Sequence, residues 1–233
     1  MLGKLITFTG IECCGKTTQI EKLADKLRDE QNIDVLVTKE PGGTALGETL
    51  RRILKHPQEV YYLFNQTYAS DTDFTQISPE QLRTAEAEML MFFAARAEFI
   101  NHVVIPAREK GTILIVDRYA DCTQAYQGGG RFHSDHRVIA FIERVHDLIL
   151  QGNTPDITFF LDIPIEFMNT RMITRGKPDY MESLGKEFFE RTIKEYREIA
   201  RRNPKRVVTI DGTASIDHIF YSTILPRTLQ LFR

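Results

Sequence analysis

The chain has 233 residues, of which 42% are apolar and 27% are charged, and its formal net charge at pH 7 is −2. This size suits one α/β domain with a sizeable core, and the small net charge gives no electrostatic reason to expect nucleic acid or a membrane surface as a partner. The three cysteines make no disulfide framework, and the N-terminal residues lack a signal-peptide pattern, so we expect a cytoplasmic protein.

Five short runs rich in β-branched and other apolar residues predict strands. They are residues 4–10, 34–40, 112–118, 156–162 and 206–212. Because apolar residues continue through them almost without interruption, we expect both faces of the sheet to be covered. Helical patterns separate the runs, which indicates crossover connections, a parallel sheet and the α/β class. No linker rich in Gly, Ser or Pro divides the chain, so we predict a single domain over residues 1–233.

Helices are predicted from periodicity and from their end signals. After the first strand, apolar residues recur with helical spacing at Ile20, Leu23, Ala24 and Leu27. Ser78, Pro79 and Gln81 resemble a capping box, and the helix that they would begin is expected to end near Val104, before Pro106.

Three further helices are predicted towards the C-terminus. One lies between Ser134 and Gly152, and its apolar face is expected at Val138, Phe141, Val145 and Leu148. Another spans residues 186–202, with Phe189, Ile193, Tyr196 and Ala200 on one face. The last begins near residue 215 and should be kinked or broken at Pro226. Residues 56–78 show no clear period, and we expect a partly mobile excursion there.

The stretch GIECCGKT (10–17) matches the pattern G-x-x-x-x-G-K-[ST] of a phosphate-binding loop. Its backbone N–H groups wrap an anion, Lys16 reaches the β- and γ-phosphates, and Thr17 offers a hydroxyl to Mg²⁺. A predicted strand precedes the loop and a helix follows, so the positive end of the helix would face the phosphates. The pattern therefore predicts a site for a nucleoside triphosphate, ATP or GTP; the alternative is a glycine turn in another α/β protein.

Asp117 ends the apolar strand at 112–118. A carboxylate in this position commonly holds Mg²⁺ directly or through water. An acidic residue at a strand end is also common without any metal, and both interpretations remain open at this point.

Three further clusters could form an acceptor site. EPGGT (40–44), with Glu40 and Pro41, follows the second strand, where ligand loops of parallel sheets gather. FFAAR (92–96) places Phe92 and Arg96 four residues apart on a helix, which suits a nucleobase through stacking and hydrogen bonds. The third is DRYADCTQAYQGGGR (117–131). Phe92 could instead be a core residue, and Arg96 could form a surface ion pair.

Together, GIECCGKTT, EPGGT, FFAAR and DRYADCTQAYQGGGR resemble the bacterial thymidylate kinases over nearly the whole chain. The resemblance implies a P-loop kinase fold, with a five-stranded parallel sheet flanked by helices and a small lid. It also implies the transfer of a phosphoryl group from ATP to dTMP, giving dTDP in dTTP synthesis, with Mg²⁺ and usually in a homodimer.

The resemblance also assigns roles to single residues. It places Glu12 against the deoxyribose 3′-hydroxyl, Arg51 and Arg118 on the dTMP phosphate, and Tyr126 under the sugar, where it would exclude a 2′-hydroxyl. Phe92 would stack on thymine, Arg96 would bond its polar edge, and Thr123 and Gln127 would lie near the base. The residues expected to contact ATP are Gly10, Cys13, Cys14, Gly15, Lys16, Thr17 and Thr18. Thr17 is also expected to bind the metal ion.

The chain departs from the family in its loop and lid. Some members have an arginine where this chain has Cys13, so the positive charge is expected from a lid at residues 171–183. Arg171 and Arg175 are four residues apart and are the expected charge donors, which makes them catalytic candidates beside Lys16 and Arg118. After these arginines, relatives often show D-R-x-E, whereas this chain has DYME within the same segment, with Tyr180 in place of one arginine.

Two other functions fit parts of the pattern. One is another nucleoside monophosphate or deoxynucleoside kinase on the same scaffold. The other is a nucleotide-dependent switch protein, which would be expected to carry a guanine-reading N-K-x-D motif; the sequence has none.

Overall fold

A parallel sheet of five strands organises the molecule, as described by a computed structural model that covers residues 2–31, 33–60, 62, 83–175 and 179–232. The strands are β1 (Leu5–Thr9), β2 (Val35–Lys39), β3 (Ile113–Asp117), β4 (Ile157–Asp162) and β5 (Val207–Asp211). They lie in the order β2-β3-β1-β4-β5, and every neighbouring pair is parallel. All five predicted strands and the α/β class are confirmed.

The strand order brings three loops together at one edge of the sheet. In the register, Asp117 of β3 pairs with Phe8 of β1 on one side and with Lys39 of β2 on the other. The chain therefore leaves β1, β2 and β3 at the same level. The predicted phosphate loop, Glu40 and Arg118 all emerge at this carboxyl edge, where parallel sheets bind ligands.

Helices cover both faces of this sheet. In chain order they are α1 (Lys16–Gln31), α2 (Ala45–Lys55), α3 (Ala85–Phe99), α4 (Ile105–Glu109), α5 (Ala120–Thr123), α6 (His136–Leu150), α7 (Ile165–Arg175), α8 (Lys186–Arg202), α9 (Ile216–Ile219) and α10 (Leu225–Leu229). Turns of π-helix lie at Ile100–Val104, Gln124–Arg131 and Phe220–Ile224, and a 3-10 turn closes the chain at Gln230–Phe232. The predicted apolar faces of α1 and α8 are buried, as expected.

Proline does not end the helix that contains α3 and α4, and here the prediction was wrong. The helix continues through the π turn Ile100–Val104 into α4, with Pro106 as the second residue of α4. A proline has no N–H to donate and crowds the preceding turn. The wider π turn, in which Ile105 donates to the carbonyl of Ile100, takes up that irregularity.

Pro226 occupies the same place in the C-terminal helix. It is the second residue of α10, directly after the π turn Phe220–Ile224. The predicted break therefore takes the form of a local change in hydrogen bonding, while the chain remains helical from Ile216 to Leu229.

The apolar face of α6 is offset from the predicted one. Its buried residues are Ile139, Ile142, His146 and Leu150, whereas Phe141 and Leu148 are 43% and 78% exposed. A helix with apolar residues on more than one side has no single best face by periodicity. Packing against α3 selects the side that includes His146.

The beginning of the long helix was expected at Ser78, with Pro79 and Gln81. These three residues, and most of the predicted excursion at 56–78, lie outside the described residues. The helix itself begins later than predicted, at Ala85, because Thr84 has an extended backbone and its hydroxyl accepts a hydrogen bond from the backbone N–H of Ala87 as the cap.

Among the described residues, Ala85–Glu109 is the one helix whose length and composition would allow a membrane span, with a mean hydropathy of 1.2 over its best window, of which 39% is buried inside the fold. The core helix of a soluble protein meets the same criteria. This helix carries Glu88 and Arg96, both almost fully buried and ion-paired within the protein. We therefore describe it as a core helix.

Candidate functional site

The phosphate-loop pattern folds as a tight connection between β1 and α1. Gly10 has φ +134°, and a Cβ at this position would lie 2.6 Å from the carbonyl oxygen of Leu161, so only glycine fits. Cys13 has φ +56°, a left-handed conformation that is unusual for a residue with a side chain. The middle of the loop therefore accepts cysteines, although Cys13 does so in a disfavoured backbone region.

Lys16 is buried at the first position of α1. Its Nζ donates to the carbonyl oxygens of Ile11 (2.9 Å) and Gly10 (3.2 Å) and to Cys14 Sγ (3.4 Å). These are weaker partners for an ammonium group than a phosphate oxygen is. The loop thus holds a positive charge at the helix N-terminus, where an anion is favoured.

Glu12 joins the loop to the segment after β3. Its Oε1 accepts from Nη2 of Arg118 at 2.7 Å, and its Oε2 accepts from the hydroxyl of Tyr126 at 2.7 Å. Burial raises the pKa of the Tyr126 phenol well above its ordinary value, so this hydroxyl stays a donor. The carboxylate is held at two points and lies at the wall of the cavity.

Two arginines bring positive charge to the same end of the cavity. Arg118 also donates to the carbonyl oxygen of Gly10 at 3.2 Å, and Arg51 donates to that of Pro41 at 2.9 Å. Burial lowers the pKa of the Arg51 guanidinium, Glu48 opposes this effect, and the like charge of Arg118 adds to it. Two guanidinium groups that repel each other in this way are suited to sharing an anion such as a phosphate.

Asp117 has an unsatisfied carboxylate oxygen. Its Oδ1 is buried, and it has no hydrogen-bond partner among the residues that the structure describes. The hydroxyl of Thr17, on an exposed residue at the start of α1, lines the same cavity. A buried oxygen without a partner is costly unless a ligand or water meets it, so these two residues are suited to a hard cation.

Arg96 lies within a buried network and is 3% exposed. Its Nε donates to Glu40 Oε2 (2.9 Å), its Nη1 to Thr123 Oγ1 (2.7 Å) and its Nη2 to the carbonyl oxygen of Tyr119 (3.1 Å). Nη1 also lies 3.0 Å from Nε2 of His146. The interpretation as a surface ion pair is thus wrong, and most of the donors of Arg96 have protein partners before any ligand binds.

The proposed base site has one flat wall. Phe92 is half-buried and lines the cavity together with Thr123 and Gln127. Because Phe92 is not part of the buried core clusters, its ring remains available to stack on a planar ligand.

A single cavity of about 600 Å³ collects most of the predicted site residues. The predicted residues that line it are Glu12, Cys13, Cys14, Gly15, Lys16, Thr17, Thr18, Glu40, Pro41, Arg51, Phe92, Arg96, Asp117, Arg118, Thr123, Tyr126, Gln127 and Arg171. Gly10 does not line it, but its carbonyl oxygen contacts both Lys16 and Arg118.

The segment predicted to form the lid, residues 171–183, is described on either side of residues 176–178. Arg171 lies on α7 over the ring of Phe167, and its Nη1 donates to the carbonyl oxygen of Cys13 at 2.9 Å. This contact brings a lid arginine to the loop position where some family members carry their own. Arg175 ends α7, and its side chain lies outside the described residues.

Several residues of the site were not predicted. Lys55 and Asp179 form an ion pair of 2.6 Å at the cavity wall, and His146 contacts Arg96 from behind. Asp179 falls within the expected lid at residues 171–183, so its sequence position was a usable signal. Lys55 and His146 lie in ordinary helical patterns, and only the tertiary contacts reveal them.

Comparisons with known proteins match nearly the whole chain. A family model described as thymidylate kinase matches residues 8–222. A thymidylate kinase of Cupriavidus necator is 40% identical over 220 residues, covering 94% of this chain and 95% of that protein. One from Pseudomonas syringae pv. syringae is 35% identical over 236 residues, covering all of both. The crystal structure of a thymidylate kinase from Ehrlichia chaffeensis matches with a TM-score of 0.67 and 28% identity, over 99% of each chain.

Proposed function

Because the chain belongs to the thymidylate kinase family, we propose that its cavity transfers a phosphoryl group from ATP to dTMP, with Mg²⁺ as cofactor. The product, dTDP, is the precursor of dTTP. The observation that carries this proposal is the convergence of the phosphate loop, two arginines and an aromatic base wall in one cavity.

The donor end of the cavity is assigned to ATP. The backbone N–H groups of the loop and of the first turn of α1 bind the phosphates, and Lys16 turns from the loop carbonyls to the β- and γ-phosphate oxygens. Gly15 and Thr18 are further proposed contacts. The exchange costs little because the carbonyls of Gly10 and Ile11 are neutral partners for Lys16.

The acceptor end is assigned to dTMP. Arg51 and Arg118 bind its phosphate, and Glu12, held by Tyr126, accepts a hydrogen bond from the 3′-hydroxyl. We assign the exclusion of a 2′-hydroxyl to the phenol ring of Tyr126, which lines the cavity beside Glu12. Phe92 stacks on the base.

The residues behind the base wall complete this site. Glu40 and Pro41 shape the wall, with Glu40 holding Arg96. Arg96, Thr123 and Gln127 read the polar edge of the base.

Thr17 and Asp117 are the residues that would hold Mg²⁺. Their oxygens are hard ligands of the kind that this ion prefers, and Oδ1 of Asp117 is buried without a partner among the described residues. When bound, Mg²⁺ neutralises charge on the β- and γ-phosphate oxygens.

The mechanism that follows is one of positioning and charge. Phosphoryl transfer asks no covalent chemistry of the protein, so the chain has to align the acceptor oxygen with the γ-phosphorus and stabilise the migrating group. Lys16 supplies positive charge from the loop, Arg118 from the acceptor side, and Arg171 and Arg175 from the lid. Closure of the lid over both ligands would exclude water and prevent hydrolysis.

The decisive experiment is a steady-state assay with ATP, Mg²⁺ and a panel of monophosphates. We expect dTMP to have the highest kcat/KM, dUMP a lower one, and ribonucleotides to be poor acceptors, because Phe92 and Arg96 select the base and Tyr126 excludes a 2′-hydroxyl. A kcat/KM for CMP or GMP comparable with that for dTMP would contradict the proposal and favour a different monophosphate kinase.

We further propose a cytoplasmic homodimer. Apolar side chains on α3 and α6 support the dimer, since Leu90, Phe141 and Leu148 are 53%, 43% and 78% exposed. These two helices pack against each other, and exposed apolar side chains on neighbouring helices are candidates for a protein interface.

A further inference from the structure

A buried carboxylate lies directly behind the base wall. Glu88 is 1% exposed and lies on α3, four residues before Phe92 and eight before Arg96. Residues at this spacing share one face of a helix. The proposed function gives roles to Phe92 and Arg96 and gives none to Glu88.

Two arginines and one amide hold this carboxylate. Arg131 donates to both oxygens, from Nε at 3.0 Å and from Nη2 at 2.7 Å. Arg83 contacts Oε2 from Nε at 3.2 Å and from Nη2 at 3.0 Å. The third partner is Gln127, whose Nε2 donates to Oε1 at 3.2 Å.

These contacts fix the orientation of the Gln127 amide. A carboxylate paired with two guanidinium groups only accepts hydrogen bonds, so Gln127 has to turn its nitrogen towards Glu88. The carbonyl oxygen Oε1 is then left on the other side of the amide. No bond to it is formed by another described residue, and Gln127 lines the cavity beside Thr123.

We propose that Glu88 is a positioning residue that sets which base the acceptor site takes. By holding Gln127 with its oxygen towards the cavity, it favours bases whose ring nitrogen N3 carries a hydrogen, as in thymine and uracil. Cytosine presents a lone pair at N3 and would face Oε1 with no hydrogen between them, a mismatch that a buried site penalises strongly. This inference rests on the proposed function.

The test compares kcat/KM for dTMP and for dCMP, with ATP and Mg²⁺. In Glu88→Gln the new amide can present its own nitrogen to Gln127, so the Gln127 amide can reverse and donate to cytosine. We expect the ratio of kcat/KM, dTMP over dCMP, to fall at least about tenfold. In a Gln127→Ala background the same substitution should leave the ratio unchanged.

A second variant avoids the loss of a buried charge. Glu88→Asp keeps a carboxylate between Arg83 and Arg131 but withdraws it from Gln127 by one methylene, so the amide loses its fixed partner. The ratio should fall here as well, even if Glu88→Gln fails to fold.

The matched control is Glu195→Gln. Glu195 is also buried and also accepts from a glutamine amide, Nε2 of Gln124 at 2.9 Å, but neither residue lines the cavity. In Glu195→Gln, the ratio of kcat/KM for dTMP to kcat/KM for dCMP should equal that of the wild type. If wild type prefers dTMP and the Glu88 variants that fold keep the ratio within about twofold, the inference is overturned. A wild type that does not phosphorylate dTMP overturns the proposed function, and the inference with it.

Discussion

Lys16 occupies a position that only a ligand can fully satisfy. It is buried, and its three observed partners are two carbonyl oxygens and a thiol. A buried ammonium group prefers a charged acceptor. The loop is therefore arranged before any anion binds, which is the condition that the proposed role of Lys16 in stabilising a transition state requires.

Lys16→Ala should reduce kcat by at least about 100-fold, because it removes a preorganised positive group. The fold should persist, since the alanine favours the first turn of α1. Steady-state kinetics with saturating dTMP and Mg²⁺, together with a thermal melt, measure both effects. The control is Lys194→Ala, an exposed lysine on α8, whose kcat should match wild type; near-normal activity of Lys16→Ala would show that the loop is not catalytic.

His146 is a neutral acceptor behind Arg96. Burial, with the charge of Arg96 adding to it, lowers the pKa of this imidazole well below its ordinary value. The unfolded chain takes up a proton near pH 6.5, whereas the folded one does so only at lower pH. Between these two values the unfolded state binds more protons, so the free energy of unfolding falls as the pH decreases.

His146→Gln should flatten this dependence by up to about 1.4 kcal/mol per pH unit below about pH 6.5, because glutamine can accept from Arg96 without titrating. Urea unfolding of both proteins at several pH values measures the slope. His102→Gln is the control, since His102 is exposed beside Glu98. If the two substitutions change the slope equally, the buried imidazole is not its source.

Among the elements, the sheet was predictable and the helix irregularities were not. Strands buried on both faces leave nearly continuous apolar runs such as ILIVD at β3, and this signal needs no tertiary information. Pro106 and Pro226 mark where a helix is disturbed, but the sequence does not say whether the helix ends there or continues through a π turn, as both do here. Which face of α6 is buried likewise depends on its packing against α3.

The residues of the candidate site also fall into a group that the sequence could predict and a group that it could not. Motif residues such as Lys16, Asp117 and Arg118 follow strand ends, so their approach to one another could be predicted from the parallel order alone. Glu88 and His146, which contact site residues from the protein interior, lie on helices whose sequence patterns are those of ordinary core helices. Only packing brings these groups to Gln127 and Arg96.

Tyr180 anchors the C-terminal part of the predicted lid segment. The ring of Tyr180 lies 4.6 Å from the guanidinium of Arg83 and 5.7 Å from that of Arg131, and its hydroxyl accepts from Arg131 at 3.3 Å. Where relatives often carry an arginine, this chain has an aromatic ring between two arginines. The positive charge that we propose the lid supplies therefore comes from its other arginines, Arg171 and Arg175.

Arg175→Ala should lower kcat more than it raises the KM for dTMP, because we expect this arginine to act mainly on the migrating phosphoryl group. Steady-state kinetics with each substrate varied in turn separates the two effects. Arg202→Ala, which removes an arginine from an exposed ion pair on α8, serves as the charge-matched control. A change confined to the KM for ATP would make Arg175 a ground-state contact.

On the scale of the whole molecule, the charge of the cavity differs in sign from the charge of the chain. The formal total is −2, whereas seven basic and five acidic side chains line the cavity, which gives its lining a net charge of +2. A local excess of positive charge attracts small anions without making the surface basic. This arrangement is consistent with nucleotide substrates.

The exposed apolar residues of α3 and α6 give the last prediction. Leu148→Lys should weaken the proposed homodimer, since it places a charge in the centre of an apolar contact that would otherwise be desolvated. Light scattering after gel filtration, over a dilution series, should show a dimer for wild type and a larger monomer fraction for the variant. Ile173→Lys is the control, because Ile173 is 84% exposed and lies on α7, which packs against α8. A wild type that is monomeric throughout the series, or a variant as dimeric as wild type, would contradict the assignment of this surface to a second copy of the chain.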